Sequence, residues 1–236
     1  MDVLYIVIPA YNEGENIENV VNDWYPVIEK CNGGGRSRLV IMDDGSKDDT
    51  YGLVLKLTES KPLLEVVHKD NSGHGATVLY GYHYALKKNA DYIFQTDADG
   101  QTLSEEFQQF WNLRHKYDMI IGLRNKRQDG LSRIVVTKTL KWVIKACFGV
   151  TVLDANTPYR LMTASSLKQV IKDVPTDFNL SNVLISVIYI KKQKKVKYIP
   201  ITFRPRQGGK NSINLKKIFM IGEKALGDFI KINREI

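Results

Sequence analysis

The sequence predicts an α/β protein with a central, mostly parallel sheet flanked by helices. Two observations carry this. Short runs that are apolar on both faces alternate with amphipathic helical segments through the N-terminal half, and each apolar run stops at a polar cluster. Strands buried on both faces read as continuous apolar runs, and their alternation with helices builds a parallel sheet.

In chain order, residues 4–9 form the first predicted strand. A helix opening near Gly14 follows, with Ile17, Val20, Val21 and Trp24 on its inner face. Residues 39–42 form the second strand, and a helix after Asp44-Gly45-Ser46 places Leu53, Val54 and Leu57 towards the core. A strand at 64–67, a helix at 75–86 and a strand at 92–95 complete a βαβαβαβ series. The second half is less regular. Helix is expected at 107–117, strand at 119–123, helix at 134–148, helix at 179–190, strand at 196–203 and a mixed terminal helix at 215–232. The whole chain, 1–236, reads as one domain, with a regularly alternating half (1–101) and a less regular half (102–236).

At 26.9 kDa the chain is large enough to bury a proper core, and 43% hydrophobic with 25% charged residues is ordinary for a soluble domain. No apolar stretch approaches the roughly 18–20 residues that span a bilayer. The start, Met1-Asp2-Val3-Leu4, lacks the basic region of a signal peptide and runs into a strand, so a cytoplasmic location is expected. Cys31 and Cys147 lie far apart in no metal-binding spacing and read as free thiols. The net charge of +8 calls for an anionic partner without choosing among nucleotide diphosphate, nucleic acid and anionic membrane.

The polar clusters carry the chemistry. In Pro9-Ala10-Tyr11-Asn12-Glu13 the proline ends a strand and Tyr11 offers a flat ring for stacking. Asp43-Asp44-Gly45-Ser46 offers carboxylates to a base N–H or a ribose hydroxyl, although the same residues make a competent turn. Asn71-Ser72-Gly73-His74-Gly75 opens a helix and directs N–H groups at an anion, with Gly73 as the expected contact. His74 reads as a loop residue rather than a ligand. Asp97-Ala98-Asp99-Gly100-Gln101 places two carboxylates two residues apart, within reach of one hard cation. Each cluster alone has a bland reading as a turn or helix cap. Their succession at matching ends of parallel strands, where such sheets bind ligands, makes one pocket of them.

The motifs PAYNE, DDGS and DADGQ, in this order, resemble the inverting family 2 glycosyltransferases, whose fold is GT-A (the nucleotide-diphospho-sugar transferase fold). The resemblance covers the N-terminal half and implies one catalytic domain, 1–236, with 1–101 as its nucleotide-binding half and 102–236 as its acceptor half. It implies that Pro9, Tyr11, Glu13 and Asp44 hold the nucleotide and that Asp97 and Asp99 engage ribose, metal and diphosphate. Mg²⁺ or Mn²⁺ is the implied cofactor, neutralising the departing nucleoside diphosphate.

The C-terminal half is most similar to the dolichyl- and polyprenyl-phosphate sugar synthases of that family. Gln101 matches the third metal ligand. Gly122-Leu123-Arg124 resembles the GSR element with Leu for Ser, and Asp154-Ala155-Asn156-Thr157-Pro158-Tyr159-Arg160 resembles the D-x-x-x-GFR stretch with Pro158 at a small-residue position. Arg204-Pro205-Arg206-Gln207-Gly208-Gly209-Lys210-Asn211-Ser212 resembles the closing R-x-x-G-x-S loop with one residue more. The implied acceptor-phosphate residues are Arg124, Arg160, Arg206, Lys210 and Ser212, and the implied catalytic residues are Asp99, Arg124, Asp177 and Arg206. Arginine suits phosphate because its fork makes two parallel hydrogen bonds.

The expected reaction moves a sugar from a GDP- or UDP-sugar to a polyprenyl phosphate. A phosphate acceptor is already an anion and needs no strong base. A hydroxyl of a glycan, the alternative acceptor, needs one. Asp177 stands where hydroxyl-acceptor relatives place that base, and it reads equally as the cap of the next helix. Lys138, Lys141 and Lys145 among Leu140, Trp142, Val143 and Ile144, with the run Lys191-Lys192-Gln193-Lys194-Lys195, suggest peripheral contact with an anionic membrane on its cytoplasmic face. Nucleic acid is not an expected partner: no aromatic-interleaved basic strand is present, and the acidic centre repels phosphates without a metal.

Overall fold

The computed structural model describes residues 1–124, 131–206, 227–229 and 231–233. In chain order the strands are β1 (Leu4–Ala10), β2 (Arg38–Asp43), β3 (Leu64–His68), β4 (Tyr92–Gln95), β5 (Met119–Arg124), β6 (Arg160–Thr163) and β7 (Val196–Ile201). The helices are α1 (Ile17–Lys30), α2 (Thr50–Thr58), α3 (His74–Lys87), α4 (Phe107–Leu113), α5 (Leu131–Phe148), α6 (Ala164–Val170) and α7 (Ser181–Lys191). One seven-stranded sheet runs β3-β2-β1-β4-β6-β5-β7. β6 is antiparallel to both its neighbours and every other pairing is parallel.

The alternation along β1 explains why both faces carry helices. Leu4, Ile6 and Ile8 pack with Ile17, Val21, Trp24, Phe107 and Phe110. Val3, Tyr5 and Val7 pack on the other face with Val78, Tyr82, Val183 and Val187. α3 lies so close to β1 that a Cβ on Gly81 would sit 2.3 Å from Val7 Cγ1.

Strand order reverses between β1 and β4, and a crevice opens there. Pairing of β1 with β4 stops at Val7 and Gln95, whereas pairing with β2 continues to Ala10 and Asp43. Val7 O accepts from Thr96 N, so Pro9 faces the same edge beyond the end of β4. Its missing N–H therefore removes no ladder bond, which is how a proline is tolerated in a central strand.

β6 and α6 were not expected from sequence. Four residues beginning with an arginine give too short and too polar a run to read as a strand. α4 stops at Leu113 rather than 117, and β7 stops at Ile201 rather than 203. Most of the expected terminal helix lies outside the described residues, but 227–229 and 231–233 are helical. Because β7 runs parallel to β1, the Lys191–195 run precedes it on the rim opposite the crevice. No helix among the described residues is long and apolar enough to cross a membrane.

Candidate active site

The loop after β4 is built around a buried alanine. Ala98 turns into the core, which leaves Asp97 and Asp99 half-buried on the crevice side. Thr96 and Thr102 close the base of the loop through their hydroxyls at 2.7 Å, and Gly100 takes the left-handed conformation (φ 68°) that the tight return requires. Asp97 Oδ1 accepts from Gln95 Nε2 and from His74 Nε2, each at 3.0 Å. Asp99 Oδ1 accepts from the Gln101 N–H at 3.1 Å.

Burial, then the neighbouring Asp97 carboxylate, pushes the Asp99 carboxyl up to about 6. At His74 desolvation opposes the charge, but the touching Asp97 carboxylate outweighs it and holds the imidazole above its ordinary value. Two carboxylates in like-charge conflict form a site that a divalent cation would relieve. Gln101 donates Nε2 to Arg204 O at 2.8 Å, which leaves the amide oxygen as the end available to a cation. No group of three or more His, Cys, Asp or Glu is arranged to hold a metal among the described residues. The oxygen set fits a hard cation completed by a ligand's phosphates.

The loops after β1, β2 and β3 are bonded to one another. Asn12, in the left-handed region (φ 54°), donates its N–H to Ser46 Oγ at 3.0 Å and accepts from Lys47 N at 2.7 Å. Tyr11 stands exposed beside it. Glu13 is buried; its Oε2 accepts from Asn16 Nδ2 at 3.0 Å and its Oε1 pairs with Arg206. Burial raises its pKa, while the Asn16 and Arg206 contacts pull it down.

Asp44, 3% exposed, accepts from Lys69 Nζ, from Ser72 N at 2.9 Å and from Gly73 N at 3.0 Å. Burial raises its pKa, but the Lys69 and Ser72 bonds outweigh that and leave it lowered. It organises the glycine loop. The Gly73 N–H is thus committed to Asp44, which corrects the expectation that it points freely at an anion. Gly73 instead provides the left-handed turn (φ 87°) into α3.

Arg124 grips Asp154 with two bonds, Nε at 2.8 Å and Nη2 at 2.7 Å, and lies over the Phe203 ring. Arg160 is corrected outright. It is 0% exposed, and its guanidinium donates to Thr157 O, Ala155 O, Asn182 O and Ser186 Oγ at 2.7–3.2 Å. A side chain so enclosed holds backbone together and meets no acceptor phosphate. Lys210 and Ser212 lie outside the described residues.

Asp177 is exposed, and Leu180 occupies the N-cap of α7, so the helix-cap reading of Asp177 is corrected. The following residues pack on α3. A Cβ on Gly75 would sit 2.3 Å from Phe178 O, so the glycine lets the Asp177–Asn179 turn lie against the start of α3. Arg204, quoted from sequence only as the start of the closing-loop stretch and given no role, donates its N–H to Gln101 O at 2.8 Å and its Nη2 to Gly100 O at 3.2 Å. His74, read from sequence as a loop residue, is the first residue of α3 and bonds Asp97. The signal for both was their place inside a quoted polar stretch.

Comparison with known proteins agrees with this architecture. The family model described as Glycosyl transferase family 2 matches residues 5–173. The chain is 26% identical over 186 residues to a UDP-N-acetylglucosamine--dolichyl-phosphate N-acetylglucosaminyltransferase of Methanococcus voltae, covering 70% of this chain and 71% of that protein. It is 26% identical over 213 residues to a polyprenol monophosphomannose synthase of Mycolicibacterium smegmatis, covering 86% and 78%. Glucosyl-3-phosphoglycerate synthase of Mycobacterium tuberculosis, solved with Mn²⁺, UDP-glucose and glycerol 3-phosphate, superposes with a TM-score of 0.68 at 14% identity, covering 98% of this chain and 80% of that one. That likeness shows the GT-A fold. With the family model spanning the sheet from β1 to β6 and the acidic loop at its reversal point, the chain belongs to glycosyl transferase family 2.

Proposed function

We propose that the chain transfers a sugar, with inversion at the anomeric carbon, from a GDP- or UDP-sugar to a polyprenyl phosphate. The observation that carries this reading is the pairing of Arg206 with Glu13. It brings a guanidinium from the segment after β7 onto the loop that ends β1, so donor-side and acceptor-side groups share one rim. The relatives named for dolichyl phosphate and polyprenol support the acceptor class.

Tyr11 and Pro9 would form one wall for the base, Glu13 would meet the nucleotide, and the corner made by Asp44 and Gly73 would shape the other wall. Asp97, Asp99 and Gln101 would hold Mg²⁺ or Mn²⁺, which when bound supplies Lewis-acid stabilisation of the leaving diphosphate. Arg206 and Arg124 would grip acceptor phosphate oxygens, with Lys210 and Ser212 as further candidates on the closing loop. The attacking phosphate carries its own charge, so no residue need remove a proton. The exposed face of α5, with Trp142 between Lys141 and Lys145, would rest peripherally on the cytoplasmic face of an anionic membrane.

One observation favours a second reading. The Asp177 turn lies against the start of α3, whose first residue bonds Asp97. A carboxylate there suits a base for a glycan hydroxyl. The experiment is sugar transfer from radiolabelled GDP- and UDP-sugars, with Mg²⁺ or Mn²⁺, to a short-chain polyprenyl phosphate, beside an Asp99→Ala control. Label in the lipid phase, lost in the control and retained in Asp177→Asn, is the expected result. Donor hydrolysis without lipid labelling overturns the phosphate acceptor and makes Asp177 the base to test.

A further inference from the structure

Gln95 is a polar residue at the end of an otherwise apolar strand and is 0% exposed. A buried amide is costly unless its hydrogen bonds are made. Here both ends are used: Nε2 donates to Asp97 Oδ1 at 3.0 Å, and Oε1 accepts from Tyr82 Oη at 3.3 Å. Tyr82 comes from α3 and is also 0% exposed. Burial raises its pKa, so the phenol keeps the proton it donates. Its Oη lies 3.5 Å from Asn182 Oδ1 on α7. Arg160, opposite Gln95 across the β4–β6 pair, fixes Asn182 through its carbonyl. A buried hydrogen-bonded pair thus leads from Tyr82 on α3 through the Gln95 amide to one oxygen of Asp97.

The second donor to Asp97, His74, reaches the same oxygen. Two N–H donors on Oδ1 fix the carboxylate plane and leave Oδ2 as the oxygen offered to a cation. We propose that Gln95 is a positioning residue for Asp97, and that Tyr82 is its support, setting which end of the Gln95 amide faces the carboxylate. The proposal rests on the reading of Asp97 as a cation ligand. Groups that orient a metal ligand through hydrogen bonds commonly change metal affinity by about 10–100-fold when removed.

The test is Mn²⁺ binding to the full chain with UDP or GDP present, read as free Mn²⁺ by electron paramagnetic resonance. Gln95→Leu is expected to weaken binding about 10-fold, and the near-isosteric Tyr82→Phe severalfold. Gln95→Leu added to Asp97→Asn should cost nothing further. Ser186→Ala, which disturbs Arg160 without touching Gln95, should lower the melting temperature and leave Mn²⁺ affinity unchanged. Wild-type affinity in Tyr82→Phe and in any folded Gln95→Leu, with binding lost in Asp97→Asn, overturns the positioning role alone. Undiminished affinity in Asp97→Asn, or no Mn²⁺ binding by the wild type, overturns the underlying reading of the site instead.

Discussion

Arg206 and Glu13, 193 positions apart in sequence, form an ion pair across the mouth of the crevice. Glu13 belongs to the loop after β1 and Arg206 to the segment after β7, so the pair joins the loop proposed to meet the donor to the start of the expected closing loop. Each group meets the other's charge. Arg206→Ala would remove the fork proposed to grip acceptor phosphate, and it leaves a buried carboxylate with less compensation. The expected loss in kcat/KM is about 100-fold or more, on the order of 3 kcal/mol of transition-state stabilisation. Steady-state kinetics with donor and acceptor varied separately checks this. Unchanged kcat/KM for both substrates would remove Arg206 from the site.

A pH dependence follows from the acidic pair. The metal-free protein holds the Asp99 proton up to about pH 6, because burial and Asp97 both oppose ionisation. A cation must displace that proton, so Mn²⁺ affinity should fall about tenfold per pH unit below 6 and level off above it. The stability effect has the opposite sign. A carboxyl whose folded pKa is raised binds more protons folded than unfolded, so the metal-free chain gains stability as pH falls from about 6 towards the ordinary value of 3.8. Saturating cation should abolish this contribution. Melting curves across pH 4–7, with and without Mn²⁺, measure it; an increment that survives saturating Mn²⁺ would separate it from Asp99.

The first half of the fold was legible because its strands are apolar on both faces, as at Leu39-Val40-Ile41-Met42. β6 was not, because it opens on Arg160, and an arginine near a motif reads as a ligand rather than as a buried strut. Gly73 was misread for a related reason. The sequence shows a glycine before a helix, but the acceptor that takes its N–H, Asp44, lies 29 positions away. Partners that distant leave no periodic trace. The Asp97-Ala98-Asp99 loop was readable because its neighbours in sequence, Ala98 and Gly100, also set its shape.

Arg160 gives a direct test of that correction. Its donors satisfy the carbonyls of Ala155, Thr157 and Asn182 inside the protein. Arg160→Met takes the guanidinium's donors out of this buried cluster, leaving the Thr157 carbonyl without them and the Ala155 and Asn182 carbonyls to Ser186 Oγ, and the expected destabilisation is about 3 kcal/mol or more. Lysine cannot bridge the same set of acceptors, so Arg160→Lys should rescue little. Denaturant unfolding checks the magnitude. At a temperature where the variant is folded, acceptor KM should stay within about twofold, whereas loss of an arginine bonded to a phosphate would cost tenfold or more. A large rise in acceptor KM with wild-type stability would restore Arg160 to the acceptor site.

Trp142 is 71% exposed on α5, whose opposite face buries Ile144 and Phe148. Lys141 and Lys145 are exposed beside it. An exposed indole has no packing role to lose, so Trp142→Ala should leave the melting temperature within about 1 °C, as surface substitutions usually do. At an anionic lipid surface the same indole would enter the headgroup layer while the flanking lysines meet lipid phosphates, each worth about 1 kcal/mol. Sedimentation with phosphatidylglycerol-containing vesicles should then show a severalfold loss for Trp142→Ala and a salt-sensitive loss for Lys141→Gln with Lys145→Gln. Neutral phosphatidylcholine vesicles should retain little of the protein. Equal sedimentation of wild type and Trp142→Ala would move any membrane contact away from α5. A lipid acceptor, as proposed, would then have to be reached from a face other than α5.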